Sequence, residues 1–258
     1  MAAGDRDPIE IENADGAGAF VIVCDHASQT VPLDYASLGL ASEALDRHIA
    51  WDPGALGVAR QMAADLDAPL LWPDVSRLVI DCNRDPAAPD LIVAEGDGIP
   101  VPGNRDLDTA ERTRRLAAVH APYHAAIEAC LAARRAAGRQ TSLIAVHSFT
   151  PVWRDRHRPW QIGILFDDDR RLADTLIGAL RADPALTVGV NEPYSPADRV
   201  YYTLSRHRAQ DSLAAVMLEI RNDEIADAAA QRQWGSRLAA VVRNFAVAGQ
   251  AAAGPAAA

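Results

Sequence analysis

Residues 142–147 read SLIAVH, and this stretch decides the fold class. It is short, apolar and rich in Leu, Ile and Val, as is typical of a strand buried on both faces of a sheet. Similar runs predict further strands at 19–24, 68–72, 77–82, 161–166, 186–190 and 214–220. Longer stretches rich in Ala, Arg and Leu predict helices over about 42–66, 109–138, 169–182 and 228–247. Pro53 is expected to kink or break the first of these helices.

The alternation of strands and helices predicts an α/β fold. The expected architecture is a mostly parallel or mixed central sheet with helices on both faces. The chain has 258 residues, of which 49% are hydrophobic, and this is enough for one large core. We predict a single domain over residues 1–250 with a low-complexity tail at 251–258. The segment 83–108 is rich in Pro, Gly and Asp, and a loop of this length suggests a functional role.

Composition and motifs exclude several classes of function. The formal net charge of −10 argues against nucleic acid and anionic membranes as partners. Every cation is an arginine, so neither a Schiff-base lysine nor a phosphate-binding P-loop lysine is available. No G-x-S-x-G motif is present, which argues against a serine hydrolase of the α/β type. No G-x-G-x-x-G motif follows a strand, so dinucleotide binding is not supported. The three cysteines are far apart, and Cys24 and Cys82 lie in or beside apolar runs, which predicts buried free thiols. Reduced cysteines and the lack of a signal or spanning segment predict a cytoplasmic protein.

Polar residues follow four of the predicted strands at the point where each strand ends. They are Asp25-His26, Asn83-Arg84, His147-Ser148 and Glu219 with Arg221. In open α/β sheets, ligands bind outside the carboxyl ends of the strands. These side chains are therefore expected to meet in one crevice.

His26 and His147 are the candidate metal ligands. Neutral imidazole suits zinc, and a catalytic zinc ion usually has three protein ligands. Asp52, in HIAWDPGA, is the first choice for the third ligand, and Asp25 is the second. The alternative is that both histidines are hydrogen-bonded structural residues.

Glu219 and two arginines complete the candidate site. A carboxylate that closes an apolar strand is costly to bury unless it is catalytic or paired, and the alternative partner is Arg221. Arg77 and Arg84 flank the predicted strand at 77–82, and a guanidinium near a site suggests an anionic substrate group. The alternative for these two arginines is a salt bridge to Asp81 or Asp85.

The remaining histidines carry weaker signals. His120 and His124 are spaced four apart in HAPYH, but the Glu of a zinc-protease helix is missing, so solvated or core-edge side chains are expected. His207 could reach the site. No role is predicted for His48 or His157.

The motifs taken together resemble the N-formylglutamate amidohydrolase family. They are VCDHAS, HIAWDPGA, SRLVIDCNRDP, IPVPGNRD, HAPYHAAI, VHSFTP, NEPYSP, YTLSRH and LEIRND, in the order expected of that family and over roughly residues 19–224. The resemblance implies a fold similar to zinc-dependent exopeptidases, with one zinc ion per chain. It also implies deformylation of N-formyl-L-glutamate to L-glutamate and formate, a reaction of histidine degradation.

The resemblance also implies roles for particular residues. His26 and His147 would bind zinc, Asn83 and Arg84 would hold the substrate carboxylate, and Glu219 would be the general base. Gln29 stands where exopeptidases have a ligating Glu, so Asp52 remains an inference from the residues alone. Arg77 or Arg221 would hold the glutamate side chain. Two alternatives remain: another N-acyl-amino-acid deacylase or carboxypeptidase-like metallohydrolase, and a non-catalytic binding protein.

Overall fold

The computed structural model describes residues 7–208 and 213–253, with side chains as far as residue 245. The described chain forms a single α/β domain around a mixed sheet of seven strands, which confirms the predicted fold class. The strands are β1 (Ile9–Glu12), β2 (Phe20–Val23), β3 (Leu70–Pro73), β4 (Ser142–Phe149), β5 (Ile162–Leu165), β6 (Val188–Val190) and β7 (Ala215–Arg221). Their order across the sheet is β1-β3-β2-β4-β7-β5-β6.

Four neighbouring strands, β3, β2, β4 and β7, are parallel, so their carboxyl ends lie at one edge of the sheet. The strand β5 runs antiparallel to β7. The connection from β4 to β5 holds only a small hairpin, Val152–Trp153 with Arg156–His157, and no crossover helix. Parallel neighbours usually need such a helix. A second small hairpin joins Glu95–Gly96 to Ile99–Pro100.

Alternating side chains divide the strands between two apolar layers. Val216 and Leu218 of β7 point to one layer, whereas Ala215 and Met217 point to the other. The helices of the first layer are α2 (Ala55–Leu66), α5 (Arg171–Arg181) and α7 (Ala228–Ala253). The second layer contains α4 (Ala121–Ala136) and α6 (Tyr202–Arg208). Helices therefore cover both faces, as predicted.

The predicted helix over 42–66 is divided in two. A single turn, α1 (Ser42–Leu45), precedes α2, and Pro53 lies in the interruption between them. The helix over 109–138 is present as α3 (Thr109–Arg115), a wide π-helical turn at Leu116–His120, and α4. Pro122 has no N–H to donate, and a local π-turn is one way to absorb the missing bond.

The prediction of a strand at 77–82 is wrong. Leu78, Val79 and Ile80 are fully buried, but their backbone runs through turns and pairs with no strand. Asp81 Oδ1 accepts a hydrogen bond from the N–H of Asn83 at 2.8 Å, which is an Asx-type turn. The apolar run indicated burial correctly but did not indicate sheet pairing.

The C-terminal helix extends past the predicted domain boundary. The helix α7 continues into the predicted tail as far as Ala253, and residues 254–258 lie outside the described residues. The boundary at residue 250 stays a prediction. No helix of the described chain has both the length and the apolar character needed to cross a membrane.

Two helical glycines give a matched test of this packing. A Cβ on Gly235 of α7 would lie 2.5 Å from Cβ of Gln61 and 2.9 Å from the carbonyl oxygen of Val58 in α2. A Cβ on Gly178 of α5 would meet nothing within 4 Å. We expect Gly178→Ala to raise the free energy of unfolding by about 0.5–1 kcal/mol, because alanine favours the helix. Gly235→Ala should lower it by about 1–3 kcal/mol through overpacking.

The measurement is urea denaturation of both variants and the parent, with unfolding monitored by circular dichroism. If Gly235→Ala is as stabilising as Gly178→Ala, the close contact between α2 and α7 is absent in solution.

Candidate active site

Two histidines from distant parts of the chain meet at one carboxylate. Asp52 Oδ2 lies 3.3 Å from Nδ1 of His26 and 2.9 Å from Nδ1 of His147. The backbone N–H of Asp52 donates to the carbonyl of His26 at 2.9 Å, which fixes the turn before α2 against the end of β2. All three side chains are buried, and one ligand atom from each lies within 4.8 Å of the others. This group could hold a metal ion.

A second carboxylate holds the far side of each imidazole. Asp81 Oδ1 is 2.8 Å from Nε2 of His26, and Asp25 Oδ2 is 2.9 Å from Nε2 of His147. Metal-binding histidines commonly have such an outer carboxylate, which fixes the tautomer and leaves the other ring nitrogen for the metal. Asp25, the second choice for the third ligand, thus lies behind His147. Its Oδ1 accepts a hydrogen bond from the hydroxyl of Thr203 at 2.7 Å.

Three buried carboxylates, those of Asp25, Asp52 and Asp81, surround the two imidazoles. Burial alone would raise the pKa of Asp52, but the charges of Arg77 and His26 hold that pKa well below its ordinary value. Burial would lower the pKa of His147, but hydrogen bonds and charges from Asp25 and Asp52 raise it well above its ordinary value. The carboxylates therefore favour a bound positive charge. A divalent cation would supply that charge in place of protons on its ligands.

Arg77 is the fixed cation of this group. Its Nη2 lies 2.8 Å from Oδ1 of Asp52, and its Nη1 lies 3.1 Å from Nδ1 of His26. The other ring nitrogen of His26, Nε2, faces Asp81. Arg77 also donates to the carbonyl of His48. Burial and the charge of Arg77 lower the pKa of His48 to about 4, so this imidazole is neutral.

Glu219 lies opposite His147 in the register of β7 and β4. Its side chain is buried, and Oε2 has no hydrogen-bond partner among the described residues. Burial is the largest influence on its pKa and raises it to about 7. The alternative ion pair with Arg221 is absent, because Arg221 pairs with Asp223 and Glu224 at 2.7 and 2.8 Å. A carboxyl group with a pKa near neutrality is suited to proton transfer.

A small cavity adjoins Arg77. Its volume is about 220 Å³, and its walls include Asp81, Arg84, Trp153 and Tyr194. Pockets for drug-sized ligands usually measure roughly 300–1,000 Å³, so this cavity suits a molecule of amino-acid size.

Arg84 faces the cavity and is partly neutralised there. Its Nε donates to Oδ2 of Asp90 at 3.1 Å, and its Nη1 is 3.7 Å from Oδ2 of Asp81. Asp85, the other predicted partner, forms no ion pair with Arg84 among the described contacts. The guanidinium remains at the cavity wall.

Asn83 does not line the cavity. Its amide nitrogen donates to the carbonyl of Val200 at 2.5 Å, and its amide oxygen accepts from the N–H of Thr203 at 3.1 Å. These bonds tie the loop that carries Arg84 to the beginning of α6. Arg221 also lies outside the cavity walls, at the end of β7.

The histidines of HAPYH are buried, not solvated or at the core edge as predicted. Nε2 of His120 lies 2.9 Å from the carbonyl oxygen of Arg84, and Nε2 of His124 lies 2.9 Å from that of Cys82. His207 contacts His124 at 2.9 Å between ring nitrogens. This cluster supports the loop of Arg84 from beneath.

Several residues of the site had no predicted catalytic, metal-binding or substrate-binding role. His48 and Asp81 surround the metal-binding group, and Tyr194 and Trp153 form part of the cavity wall. Asp81 could have been recognised, since it ends an apolar run as Asp25 does. The others come from loops and a hairpin, where no periodicity places side chains.

The raised pKa of Glu219, its unpartnered oxygen and the adjoining cavity are features of a catalytic site rather than of a structural salt-bridge cluster. The buried His–Asp–His group at the carboxyl edge of the sheet could in addition hold a metal ion. The family model described as N-formylglutamate amidohydrolase matches residues 18–226. The chain therefore belongs to that family and is a hydrolase acting on linear amides, which confirms the resemblance and decides against a non-catalytic binding protein.

Two solved structures are similar to this chain. The gene product Atu2144 from Agrobacterium tumefaciens is 42% identical, with a TM-score of 0.92 over 95% of this chain and 97% of that chain. An N-formylglutamate amidohydrolase from Ralstonia eutropha JMP134 is 23% identical, with a TM-score of 0.68 over 94% and 98% of the two chains. At that identity the second likeness concerns the fold alone. None of the curated proteins compared with this chain matches it.

Substitutions of Arg77 and Arg221 test how much the ion pair of Arg77 with the buried Asp52 contributes to stability. Their side chains are 17% and 16% exposed, but Asp52 is 2% exposed whereas Asp223 is 49% exposed. We expect Arg77→Met to lower the free energy of unfolding by about 3–5 kcal/mol, because it leaves a buried charge unpaired. Arg221→Met should cost about 1 kcal/mol or less.

Urea denaturation in the presence of EDTA measures both variants without a contribution from bound metal. Equal losses of stability would contradict the pairing of Arg77 with Asp52.

Proposed function

We propose that this chain hydrolyses the formyl amide of N-formyl-L-glutamate, giving formate and L-glutamate, with one zinc ion per chain. The observation that carries the proposal is the environment of the Glu219 carboxyl group. This group is a buried carboxyl with a pKa of about 7 and a free oxygen, opposite His147 of the His–Asp–His group in the sheet register. Arg77, which pairs with Asp52 of that group, is a wall of the cavity of amino-acid size. Family membership supports the choice of a linear amide as the substrate.

His26, Asp52 and His147 would hold the zinc ion. Two imidazoles and a carboxylate form a donor set that zinc prefers, and three protein ligands are typical of its catalytic sites. The outer carboxylates Asp81 and Asp25 support this assignment, because they engage Nε2 of each ring, so that Nδ1 is the nitrogen that would bind a metal. When bound, the ion would supply Lewis acidity, which polarises the amide carbonyl and acidifies a water molecule.

Glu219 would move the proton. Its Oε2 accepts the proton of the attacking water, and the same carboxyl then donates that proton to the departing amine. Burial serves both steps, since a pKa near 7 lets the group change protonation state at neutral pH. Arg77 would stabilise the negative charge that develops on the carbonyl oxygen, from its place next to Asp52.

Arg84 would bind the α-carboxylate of the substrate. Its guanidinium is at the cavity wall, and a planar fork of N–H donors matches a carboxylate. We propose a supporting part for Asn83, which fixes the loop of Arg84 against α6. Arg221 has no part in this scheme, because its guanidinium is engaged by Asp223 and Glu224. A cytoplasmic location is part of the proposal, supported by the free cysteines of the chain.

The metal proposal predicts a ranking of variants. Asp52→Ala should weaken zinc binding by more than about 100-fold, because it removes a ligand. Asp25→Ala and Asp81→Ala should weaken it by about 10–100-fold, because they remove only the partners of the imidazoles. Zinc affinity would be measured by competition with a chromophoric chelator, and zinc content by elemental analysis. A larger effect of Asp25→Ala than of Asp52→Ala would make Asp25 the ligand.

The proton-transfer proposal predicts that Glu219→Gln keeps the fold and binds zinc normally but loses activity by about 10²–10⁴-fold. Glutamine has nearly the same shape and cannot accept the proton. Formate release from N-formyl-L-glutamate is the measurement. Glu224→Gln, at a carboxyl that pairs with Arg221, is the matched control and should remain active. Near-normal turnover by Glu219→Gln would leave Glu219 without a catalytic role.

A further inference from the structure

The arginines near the cavity differ in how their charges are neutralised. Arg77, Arg84 and Arg221 each have a carboxylate oxygen within 3.1 Å. Arg158 has none within 4.0 Å in the part of the chain that the structure describes. It follows the small hairpin after β4 and had no predicted role.

Arg158 is nevertheless buried, with 7% of its surface exposed. Its Nη2 donates to the hydroxyl of Tyr194 at 2.9 Å, and its Nη1 donates to the carbonyl of Thr150 at 3.3 Å. The rings of Phe149, Trp153 and Tyr194 lie 5.5, 5.6 and 4.8 Å from the guanidinium carbon. All these neighbours are neutral.

A guanidinium buried without a counter-ion is costly for the folded protein. Aromatic faces attract a cation but do not neutralise it. The hydrogen bonds of Arg158 involve Nη1 and Nη2, and Nε has no partner among the described residues. The surroundings of Arg158 are therefore those of a cation that an anionic ligand completes.

The cavity is where that ligand would lie. Arg158 is not itself a wall of the cavity. It lies behind Thr150, Trp153 and Tyr194, which contact its guanidinium and are walls of the cavity that contains Arg84. The Tyr194 oxygen accepts the hydrogen bond from Arg158, so its own O–H remains available to donate to a ligand.

Acidic residues at the cavity do not cancel this charge. Glu95 and Asp97 lie on the exposed hairpin, where solvent and salt screen them. Asp90 is the partner of Arg84, and Asp81, the fourth acidic wall, is the partner of His26. None of the four forms an ion pair with Arg158 among the described residues.

The geometry points to the Tyr194 hydroxyl, held and polarised by the charge of Arg158 behind it, as the group that binds the second carboxylate of a dicarboxylic N-acyl amino acid. Arg84 would hold the first carboxylate. This inference rests on the proposed function and gives Tyr194 and Arg158 the part that the sequence suggested for Arg77 or Arg221. It predicts selectivity by charge, since an amide in place of the side-chain carboxylate keeps the shape and loses the anion.

The first experiment compares two substrates and three proteins, all zinc-loaded. The substrates are N-formyl-L-glutamate and N-formyl-L-glutamine, and the proteins are wild type, Arg158→Gln and Arg156→Gln. Arg156 is an exposed arginine of the same hairpin and serves as the matched control. Wild type and Arg156→Gln should prefer the glutamate substrate by about 10–100-fold in kcat/KM, as expected for hydrogen bonds to a charged group.

In Arg158→Gln that preference should disappear, through a loss on N-formyl-L-glutamate and little change on N-formyl-L-glutamine. Equal losses on both substrates, or a preference that survives in Arg158→Gln, overturn the inference. If Arg158→Gln does not fold, Arg158→Lys and Tyr194→Phe replace it. Both should reduce the preference at least several-fold, and a wild-type preference in both overturns the inference.

The second experiment separates this inference from the proposed function. Calorimetry measures the binding of glutarate and of its monoamide to wild type and Arg158→Gln, without turnover. If wild type binds glutarate more tightly than the monoamide and Arg158→Gln does not, the role of Arg158 is supported. This holds even if no N-formyl amino acid is hydrolysed and the proposed function fails. Equal binding of the two ligands by wild type overturns the inference, even if formate is released.

Discussion

The carboxylate of Asp52 is the contact on which the arrangement of the site depends. It is 2% exposed and has two imidazoles and a guanidinium around it. A charge buried this deeply is tolerated only when its partners are held in place on all sides. Those partners come from the ends of β2 and β4 and from the turns at 77–82. The fold must therefore bring these segments together with little freedom, and the rest of the site is built around that requirement.

Much of this could be predicted because parallel strands share an edge. The apolar runs in the sequence predicted the strands β2, β4 and β7. The polar residue at the end of each run indicated that the three strands share one crevice. The same principle correctly placed His26, His147 and Glu219 together. The segment 77–82 shows the limit of the argument. It lies at the same edge and delivers Asp81, but it does so through buried turns, since an apolar run reports burial and not backbone pairing.

The partners of the arginines could not be predicted in the same way. Arg221 is two residues from Glu219 along the strand, yet nearby acidic residues beyond the strand end take up its charge. Tyr194 and Arg158 come from irregular segments that only the folded chain brings together. Gly163 lies opposite Glu219 in β5, and a Cβ there would be 2.0 Å from the carbonyl oxygen of Glu192. The absence of a side chain at Gly163 thus lets the backbone of the segment before Tyr194 approach β5 closely, and no sequence periodicity predicts this contact.

The central place of β7 bears on how the chain is made. It is the last strand of the sheet in sequence, yet it lies between β4 and β5. During synthesis the N-terminal part leaves the ribosome first. The strand Ser142–Phe149, which is fully buried in the folded protein, therefore has one edge without its partner strand until Ala215–Arg221 has emerged. Such an apolar edge invites pairing with other chains. Glu219 lies on that closing strand, so a nascent chain exposes this edge before Glu219 has been added.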